Sequence, residues 1–373
     1  MTAPLGLDGA LEQRVLAARQ RAEPVAAELS GADFRTAWKA LGAHGLLTDP
    51  ESVLDGIAMI EGLGRAGVPA GLCYALTSQL FGVQRPLRAA LGEAVLPDAV
   101  RSGELVLCHA LTEDEGGSDP LSMRTSAVRR EDGSFRLNGR KSFITAAPVA
   151  DLALVFARTE EGNHPFALTP FLVDLDAEGV TRTEAFGKLA LPEVPMGALE
   201  FTEVHVPAER MLGEPGSGLA LLTATTAWER SVLLGYALGP MQRVLDRTVS
   251  WARDRSQFGR PMGASQLVAG RVAEMAMALW RSRGLVYGIA RRLDDGESIR
   301  RLAGEAALTK ISVSQDYIAF TEHATALGGV RSFVAGSGLT AELFGPLAGL
   351  VYAGPNDLLR VTVARELGLP VQN

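Results

Sequence analysis

The sequence predicts an α+β protein in which a helical N-terminal part, a β middle part and a helical C-terminal part follow one another, and three changes of texture predict it. Over residues 1–107 apolar side chains recur at spacings of three and four. Over 108–212 they come in short β-branched or alternating runs cut by turn residues. Over 213–373 the helical spacing returns in long segments.

The first helices rest on stripes such as Leu11, Val15 and Leu16, or Leu54, Ile57, Ala58 and Ile60, which gather on one face at 3.6 residues per turn. Gly62-Leu63-Gly64-Arg65-Ala66-Gly67 formally matches a dinucleotide fingerprint. That mechanism needs a strand feeding a tight turn, and here a helical stripe precedes the glycines, so the segment reads as a helix C-terminus. In the middle part SAVRR, FRLNGRKSFIT, LALVFART, ALTPFLVDL and GALEFTEVHV read as strands. Asp132-Gly133 and Asn138-Gly139 read as turns, because these residues accept positive φ. Gly213 to Gly218 resembles a phosphate loop but lacks its lysine and hydroxyl residue, so it reads as the join to the next helix. The C-terminal segments, LALLTATTAWERSVLLGYALGPMQRVLDRTVSWARDR, LVAGRVAEMAMALWRSRGLVYGIARRL and GEAALTKISVSQDYIAFTEHATAL, are long enough to pack as a bundle.

A chain of 373 residues with 47% apolar and 21% charged side chains can bury a large core, which excludes collagen, a disordered tail and a disulfide-stapled miniprotein. A net charge of −7 disfavours nucleic acid as a partner, since such binding needs a basic footprint. Cys73 and Cys108 both lie in apolar settings, read as small buried thiols, and form no metal motif. The N-terminus meets charged residues too early for a signal peptide, and no apolar run approaches the ~20 residues that cross a bilayer. The expected location is the cytoplasm, away from membranes.

Two segments of the β part carry chemistry. His109-Ala110-Leu111-Thr112-Glu113-Asp114-Glu115-Gly116-Gly117-Ser118-Asp119 is a strand running into a glycine-rich turn, and Leu137-Asn138-Gly139-Arg140-Lys141-Ser142-Phe143-Ile144-Thr145 is a strand ending in a threonine. Both can present hydrogen-bond donors to a polar planar ligand, although on the residues alone ordinary hairpin and turn chemistry is the favoured reading.

These two runs resemble the acyl-CoA dehydrogenase family, whose middle domain carries Thr-Glu-Pro-X-Ala-Gly-Ser-Asp and Asn-Gly-X-Lys-X-(Trp/Phe)-Ile-Thr. The resemblance extends through Val204-His205-Val206-Pro207, Leu212-Gly213-Glu214, Glu229-Arg230 ahead of Ala237-Leu238-Gly239, Arg253 to Gly259 with Gln266, Leu327-Gly328-Gly329, and Val363-Ala364-Arg365-Glu366. It implies an N-terminal helical domain, a middle β-barrel domain and a C-terminal four-helix bundle, with FAD between the last two, in a dimer or tetramer of identical chains. By this resemblance Leu111, Thr112, Gly117 and Ser118 meet the flavin, Phe143 and Thr145 lie beside its ring, and Arg255, Phe258, Gln266 and Gly329 serve the FAD of a neighbouring subunit. Ser118, Trp228, Arg230, Tyr352 and Gly354 are implied as substrate contacts.

The implied reaction is α,β-dehydrogenation of an acyl thioester, in which a carboxylate removes the α-proton while the β-hydrogen leaves as hydride to the flavin. It needs donors at the thioester oxygen, where enolate charge develops, and a desolvated base at the α-carbon. Most members place that base in a Tyr-Glu-Gly-Thr loop; here the stretch is Val351-Tyr352-Ala353-Gly354-Pro355, and Ala353 takes no proton. A minority supply it from the helix that opens the bundle, just before an arginine, and that position is Glu229 beside Arg230. Glu229 is therefore the expected base, the other reading of Glu-Arg on a helix being a solvated ion-paired face. The backbone N–H of Ala353 survives the loss of the carboxylate and is the expected oxyanion donor.

Further departures from the family pattern are Thr325 near Gly328-Gly329, Gly345-Pro346-Leu347 in place of an Arg-Asp-Ala triplet, and Pro355 for an adenine-facing threonine. The N-terminal part also lacks the Glu-X-X-Gly-Gly-X-Gly stretch, running from Gly45 through Thr48-Asp49-Pro50-Glu51 directly into a helix, which shortens the substrate entrance. Together they point to a specialised relative acting on acyl-CoA or on an acyl group held by a carrier protein, with electron-transfer flavoprotein or another acceptor reoxidising the flavin. A flavin monooxygenase on the same scaffold and a degenerate, non-catalytic subunit are the alternatives. His109 reads as a hydrogen-bonded structural histidine. Trp228 fits a cavity wall and helix packing alike.

Overall fold

The computed structural model describes residues 8–29, 31–337 and 344–371. The N-terminal part holds α1 (Gly9–Glu28), α2 (Phe34–Ala43), α3 (Val53–Ala66), α4 (Ala70–Thr77), α5 (Arg85–Leu91) and α6 (Asp98–Arg101), with a π-helical turn over Ser78–Gln84 joining α4 to α5. Asp8 caps α1 and Ser52 caps α3, each side chain accepting a backbone N–H that the first turn leaves unpaired. The Gly62 to Gly67 segment is the end of a helix, as expected. Gly67 closes α3 at φ +110°, and the other glycines let helices touch. A Cβ on Gly62 would fall 2.7 Å from that of Ala18 in α1, and one on Gly64 2.5 Å from Cδ of Pro240.

The middle part is one seven-stranded sheet of β1 (Leu107–Ala110), β2 (Ser126–Arg129), β3 (Phe135–Thr145), β4 (Leu152–Arg158), β5 (Leu168–Asp174), β6 (Val180–Arg182) and β7 (Met196–Val206). Its order is β1-β4-β2-β3-β7-β6 with β5 on the free side of β4, and β1 runs parallel to β4. β4 is apolar from Leu152 to Ala157 because both its faces are covered there. Leu152, Leu154 and Phe156 join a cluster with Val83, Leu87 and Leu222, while Ala153, Val155 and Ala157 face the main core.

Asn138-Gly139 is not a turn. β3 continues through it as a bulge against β7, where Asn138 Nδ2 donates to Glu203 Oε1 (2.6 Å) and its Oδ1 accepts from the Glu203 N–H (2.8 Å). Gly139 is required there at φ +140°, since a Cβ would lie 2.6 Å from Cα of Thr125.

The C-terminal part holds α7 (Gly218–Val232), α8 (Gly235–Asp254), a hairpin of β8 (Ser256–Gln257) and β9 (Arg260–Pro261), α9 (Gln266–Asp294), α10 (Ala303–Gly328), α11 (Phe344–Ala348) and α12 (Asn356–Glu366). The first long segment is thus two helices, broken at Leu233-Leu234. Helices α7 to α10 pack together, and α3 docks on α8 and α9. Glu61 of α3 is fully buried at that junction. It takes Arg283 Nη2 at 2.5 Å and the Tyr287 hydroxyl at 3.0 Å, with Arg65 Nε 3.7 Å away. Among the described residues no helix is long and apolar enough to cross a membrane.

Candidate active site

Glu229 stands on the last turns of α7, where that helix meets the π-helical turn. The wider turn brings Ser78 and Gly82 to the same side, facing the carboxyl. Ser78 Oγ donates to Glu229 Oε1 at 2.9 Å, and a Cβ on Gly82 would sit 3.5 Å from Cγ, Cδ and Oε1 of Glu229. Gly82 therefore leaves room for the carboxyl without touching it. Burial raises the pKa of Glu229, opposed by the Ser78 hydrogen bond and by the charges of Arg230 and Lys310. Among the described residues Arg230 makes no ion pair with Glu229; its Nε donates instead to the carbonyl of Ala353 at 2.9 Å.

The loop after α11 brings up the second group. Ala353 has φ +53° and Gly354 φ +96°. Arg230 holds the Ala353 carbonyl; Lys310 Nζ donates to the Gly354 carbonyl and to Asn356 Oδ1, each at 2.8 Å. Among the described residues the Ala353 N–H meets no protein acceptor. Tyr352 packs its ring on Tyr74 at 5.1 Å and shares a hydroxyl hydrogen bond of 2.9 Å with Tyr236. Tyr74 lies near Thr145 at the end of β3; burial and the Glu229 charge raise its pKa while Thr145 lowers it, and the Glu229 charge bears on Tyr352 as well. Glu229, Arg230, Tyr352, Ala353, Gly354 and Thr145 are thus brought together from distant parts of the chain.

The glycine-rich turn lies at the end of β1. Gly117 lies against Thr112, where a Cβ would come 3.0 Å from Oγ1, and the Ser142 N–H donates to the Thr112 carbonyl at 2.8 Å. Lys141 is buried beneath, its Nζ 3.0 Å from the Leu111 carbonyl and 2.9 Å from Glu113 Oε1; burial takes its pKa down to about 8. Phe143, at φ +59° beside a β3 bulge, leaves 56% of its surface open. Ser118 is exposed on the same turn. His109 departs from expectation: its Nε2 is buried with no partner among the described residues, its ring stands edge-on to Phe156, and burial with the nearby Lys141 charge lowers its pKa to about 4. Trp228 lies under the Arg85 guanidinium, 5.6 Å from its ring centre. Both cysteines are free and buried.

The remaining residues lie elsewhere. Arg255 follows α8, with a buried Nε that has no partner among the described residues and its guanidinium 5.7 Å from the Trp251 ring. Phe258, at φ +53° in the β8–β9 turn, is fully exposed; Gln266 opens α9 and Gly329 ends α10 at φ +58°. None of the hydrogen bonds or ring contacts described for these four reaches Glu229, Thr112 or Tyr352. An unpaired guanidinium nitrogen and a bare aromatic ring suit a diphosphate and a planar ring, while Thr112, Phe143 and Thr145 suit a ring edge and face.

Sequence reasoning missed Tyr74, Ser78, Gly82 and Lys310. A signal existed: Thr77-Ser78-Gln79 and Gly82 interrupt an otherwise apolar helix, and Lys310 stands alone in the apolar run ALTKISV.

Comparison with known proteins matches residues 108–204 to the acyl-CoA dehydrogenase middle domain and residues 216–368 to the acyl-CoA dehydrogenase C-terminal domain. The chain is 32% identical over 303 residues to L-prolyl-[peptidyl-carrier protein] dehydrogenase of Pseudomonas fluorescens, covering 80% of this chain and 79% of the relative. It is 31% identical over 344 residues to mitochondrial isovaleryl-CoA dehydrogenase of Oryza sativa subsp. japonica, covering 88% and 82%. Among solved structures it superposes on the prolyl acyl carrier protein oxidase AnaB with a TM-score of 0.89 at 25% identity, over 97% of this chain and 100% of the other. The FAD complex of PigA gives 0.88 at 26% identity, over 98% and 99%.

Proposed function

The chain belongs to the acyl-CoA dehydrogenase family of oxidoreductases, and from that premise we propose that it oxidises the α,β-bond of an acyl thioester with Glu229 as base. The observation that carries the reading is the partly buried Glu229 carboxyl, its pKa raised, near a loop whose Ala353 N–H has no protein acceptor among the described residues. Leu111, Thr112, Gly117, Ser118, Phe143 and Thr145 would hold the flavin ring of FAD. Arg255, Phe258, Gln266 and Gly329 would hold the diphosphate and adenine side for a neighbouring subunit. FAD bound there supplies the acceptor for the β-hydrogen and its electron pair.

The chain's own residues do the rest. Glu229 removes the α-proton, and its desolvation brings its basicity closer to what so weak a carbon acid demands. The Ala353 N–H donates a hydrogen bond to the thioester oxygen as charge grows there, the kind of donor whose loss elsewhere costs ~10²–10³-fold in rate. Tyr74, Tyr236 and Tyr352 wall the reacting carbon from water, and Trp228, Arg230, Ser118 and Gly354 border the thioester.

The acyl group is carried on a phosphopantetheinyl carrier protein. The likeness to prolyl-carrier protein enzymes over most of the chain and the short segment between α2 and α3 support this. Electron-transfer flavoprotein or a similar acceptor takes the electrons, the enzyme works in the cytoplasm, and identical chains assemble. The exposed Phe258, Leu267 and Trp280 near the neighbour-facing residues are consistent with assembly. The test is anaerobic titration of the yellow protein with the same acyl groups, prolyl among them, on CoA and on a carrier protein. Bleaching by the carrier-bound thioester at higher rate supports the reading. Equal or better rates with CoA overturn the carrier assignment. A colourless chain, or one bleached by no thioester, favours the non-catalytic or monooxygenase alternatives.

A further inference from the structure

The buried cation of α10 has no function in the reading above. Lys310 is fully inaccessible, yet among the described residues its ammonium meets no carboxylate within hydrogen-bond distance. Its described hydrogen bonds go to two neutral oxygens, the Gly354 carbonyl and Asn356 Oδ1, both at 2.8 Å. Burying a charge is costly unless it is well paired, and amide oxygens compensate it less than a carboxylate does. Asn356 is itself fixed, since its Nδ2 donates to Ser314 Oγ, also on α10, at 2.9 Å. The carbonyl one residue earlier, that of Ala353, is held by Arg230 from α7. Consecutive carbonyls of one loop are thus gripped by cations on two different helices.

The backbone between those grips is strained. Ala353 sits at φ +53°, where a side chain costs about 1 kcal/mol or more. Gly354, at φ +96°, takes a backbone conformation that favours glycine, and a Cβ there would also crowd Arg230 Nη2 at 3.1 Å. A surface loop with no task would relax. This one is held so that its carbonyls point at the cations while the Ala353 N–H is left without an acceptor beside Glu229.

We propose that Lys310 is a positioning residue for the oxyanion donor: with Arg230 it clamps the Ala353–Gly354 carbonyls and so fixes the Ala353 N–H against the thioester oxygen. The proposal rests on the thioester reading of the site. It predicts that Lys310 acts on polarisation of the substrate carbonyl, a quantity a merely structural lysine would not set.

The experiment compares holoenzymes of wild type, K310M, K310R and E229Q. Each is loaded with an acyl thioester labelled with ¹³C at the carbonyl and lacking a removable α-hydrogen, and the carbonyl stretch is read by infrared difference spectroscopy. Turnover is measured in parallel with the oxidisable thioester. The wild type should shift the stretch to lower frequency. K310M should lose most of that shift and ~10²-fold in kcat with KM within about threefold, the size expected for a misplaced oxyanion donor. K310R should keep part of both. E229Q should keep the full shift while losing turnover, so failure of the base assignment and failure of the clamp read out on different variants. A wild-type shift and near-normal kcat in K310M overturn the proposal. Should K310M not fold, K310R decides alone: an unchanged carbonyl shift, with the guanidinium unable to reproduce both bonds of the ammonium, overturns it as well.

Discussion

If Glu229 is the base we propose, replacing it by glutamine removes the proton acceptor and little else. The amide is nearly isosteric, its oxygen can still accept from Ser78 at the 2.9 Å now seen, and the same atoms meet the open face of Gly82. Loss of a positioned general base costs ~10²–10⁴-fold. With no second carboxylate in the Val351 to Pro355 loop to substitute, the upper part of that range is expected here. Stability should move the other way. The pKa of Glu229 is raised in the folded chain, so below its unfolded value of 4.5 both states are protonated and the group costs nothing. As pH rises through the folded pKa the partly desolvated carboxylate must ionise, and stability is lost. E229Q should remove that loss and melt no lower than the wild type at pH 7 and above. The same titration sets the activity profile: kcat/KM should climb with pH along a limb displaced above the ordinary glutamate range. The assay is anaerobic stopped-flow bleaching of the flavin across pH, with exchange of the α-hydrogen in D₂O as a separate reading of proton removal. Turnover or α-exchange in E229Q within a few-fold of wild type would refute the assignment.

Other substitutions test the surroundings. At Gly82 an alanine Cβ arrives at 3.5 Å from the Glu229 carboxyl, ordinary contact distance, so G82A should keep most activity, whereas G82L must displace the carboxyl and lower kcat at least ~10-fold in the same stopped-flow assay. Glu61 is the carboxylate facing Arg283 and Arg65 in a sealed junction, so E61Q should cost about 3–5 kcal/mol in denaturant unfolding, while the wild type and G82A remain alike. Adding a carboxylate at Ala353 offers a second route to the α-carbon. A353E alone should slow turnover through like-charge coupling with Glu229, and E229Q/A353E should recover at least ~10-fold over E229Q in steady-state assays. No recovery in the double variant would mean that the loop no longer faces the reacting carbon.

Periodicity carried the fold because it is a local consequence of burial. Leu11 and Val15, or Ile57 and Ile60, are buried on the faces their spacing assigns them. Gly62 and Gly64 were readable as helical, though their reason, close approach of α3 to Ala18 and Pro240, involves residues far along the chain. Asn138-Gly139 misled for the same reason. The dipeptide favours a two-residue turn when nothing else acts on it, but here Thr125 and Glu203 hold it in a bulged strand. Local preference yields when cross-strand partners are already in place.

The site divides along the same line. Glu229 was singled out from its neighbour Arg230 and from the loss of a carboxylate at 353, both facts of sequence. The meaning of the pair was not, since the arginine that looks like its ion partner serves a carbonyl 123 positions away, and the hydroxyl that does hold it comes from 151 positions away. No spacing encodes those contacts; they follow from packing α7 onto the π-helical turn and the 351–355 loop onto α10. That packing also explains how the base can change place within a family without rebuilding the site. On the proposed reading the oxyanion donor would be a backbone N–H whose loop is held by Arg230 and Lys310, so it would be indifferent to the side chain at 353. The carboxylate needs only an approach to the same carbon, which Gly82 and Ser78 open for Glu229 from the other side.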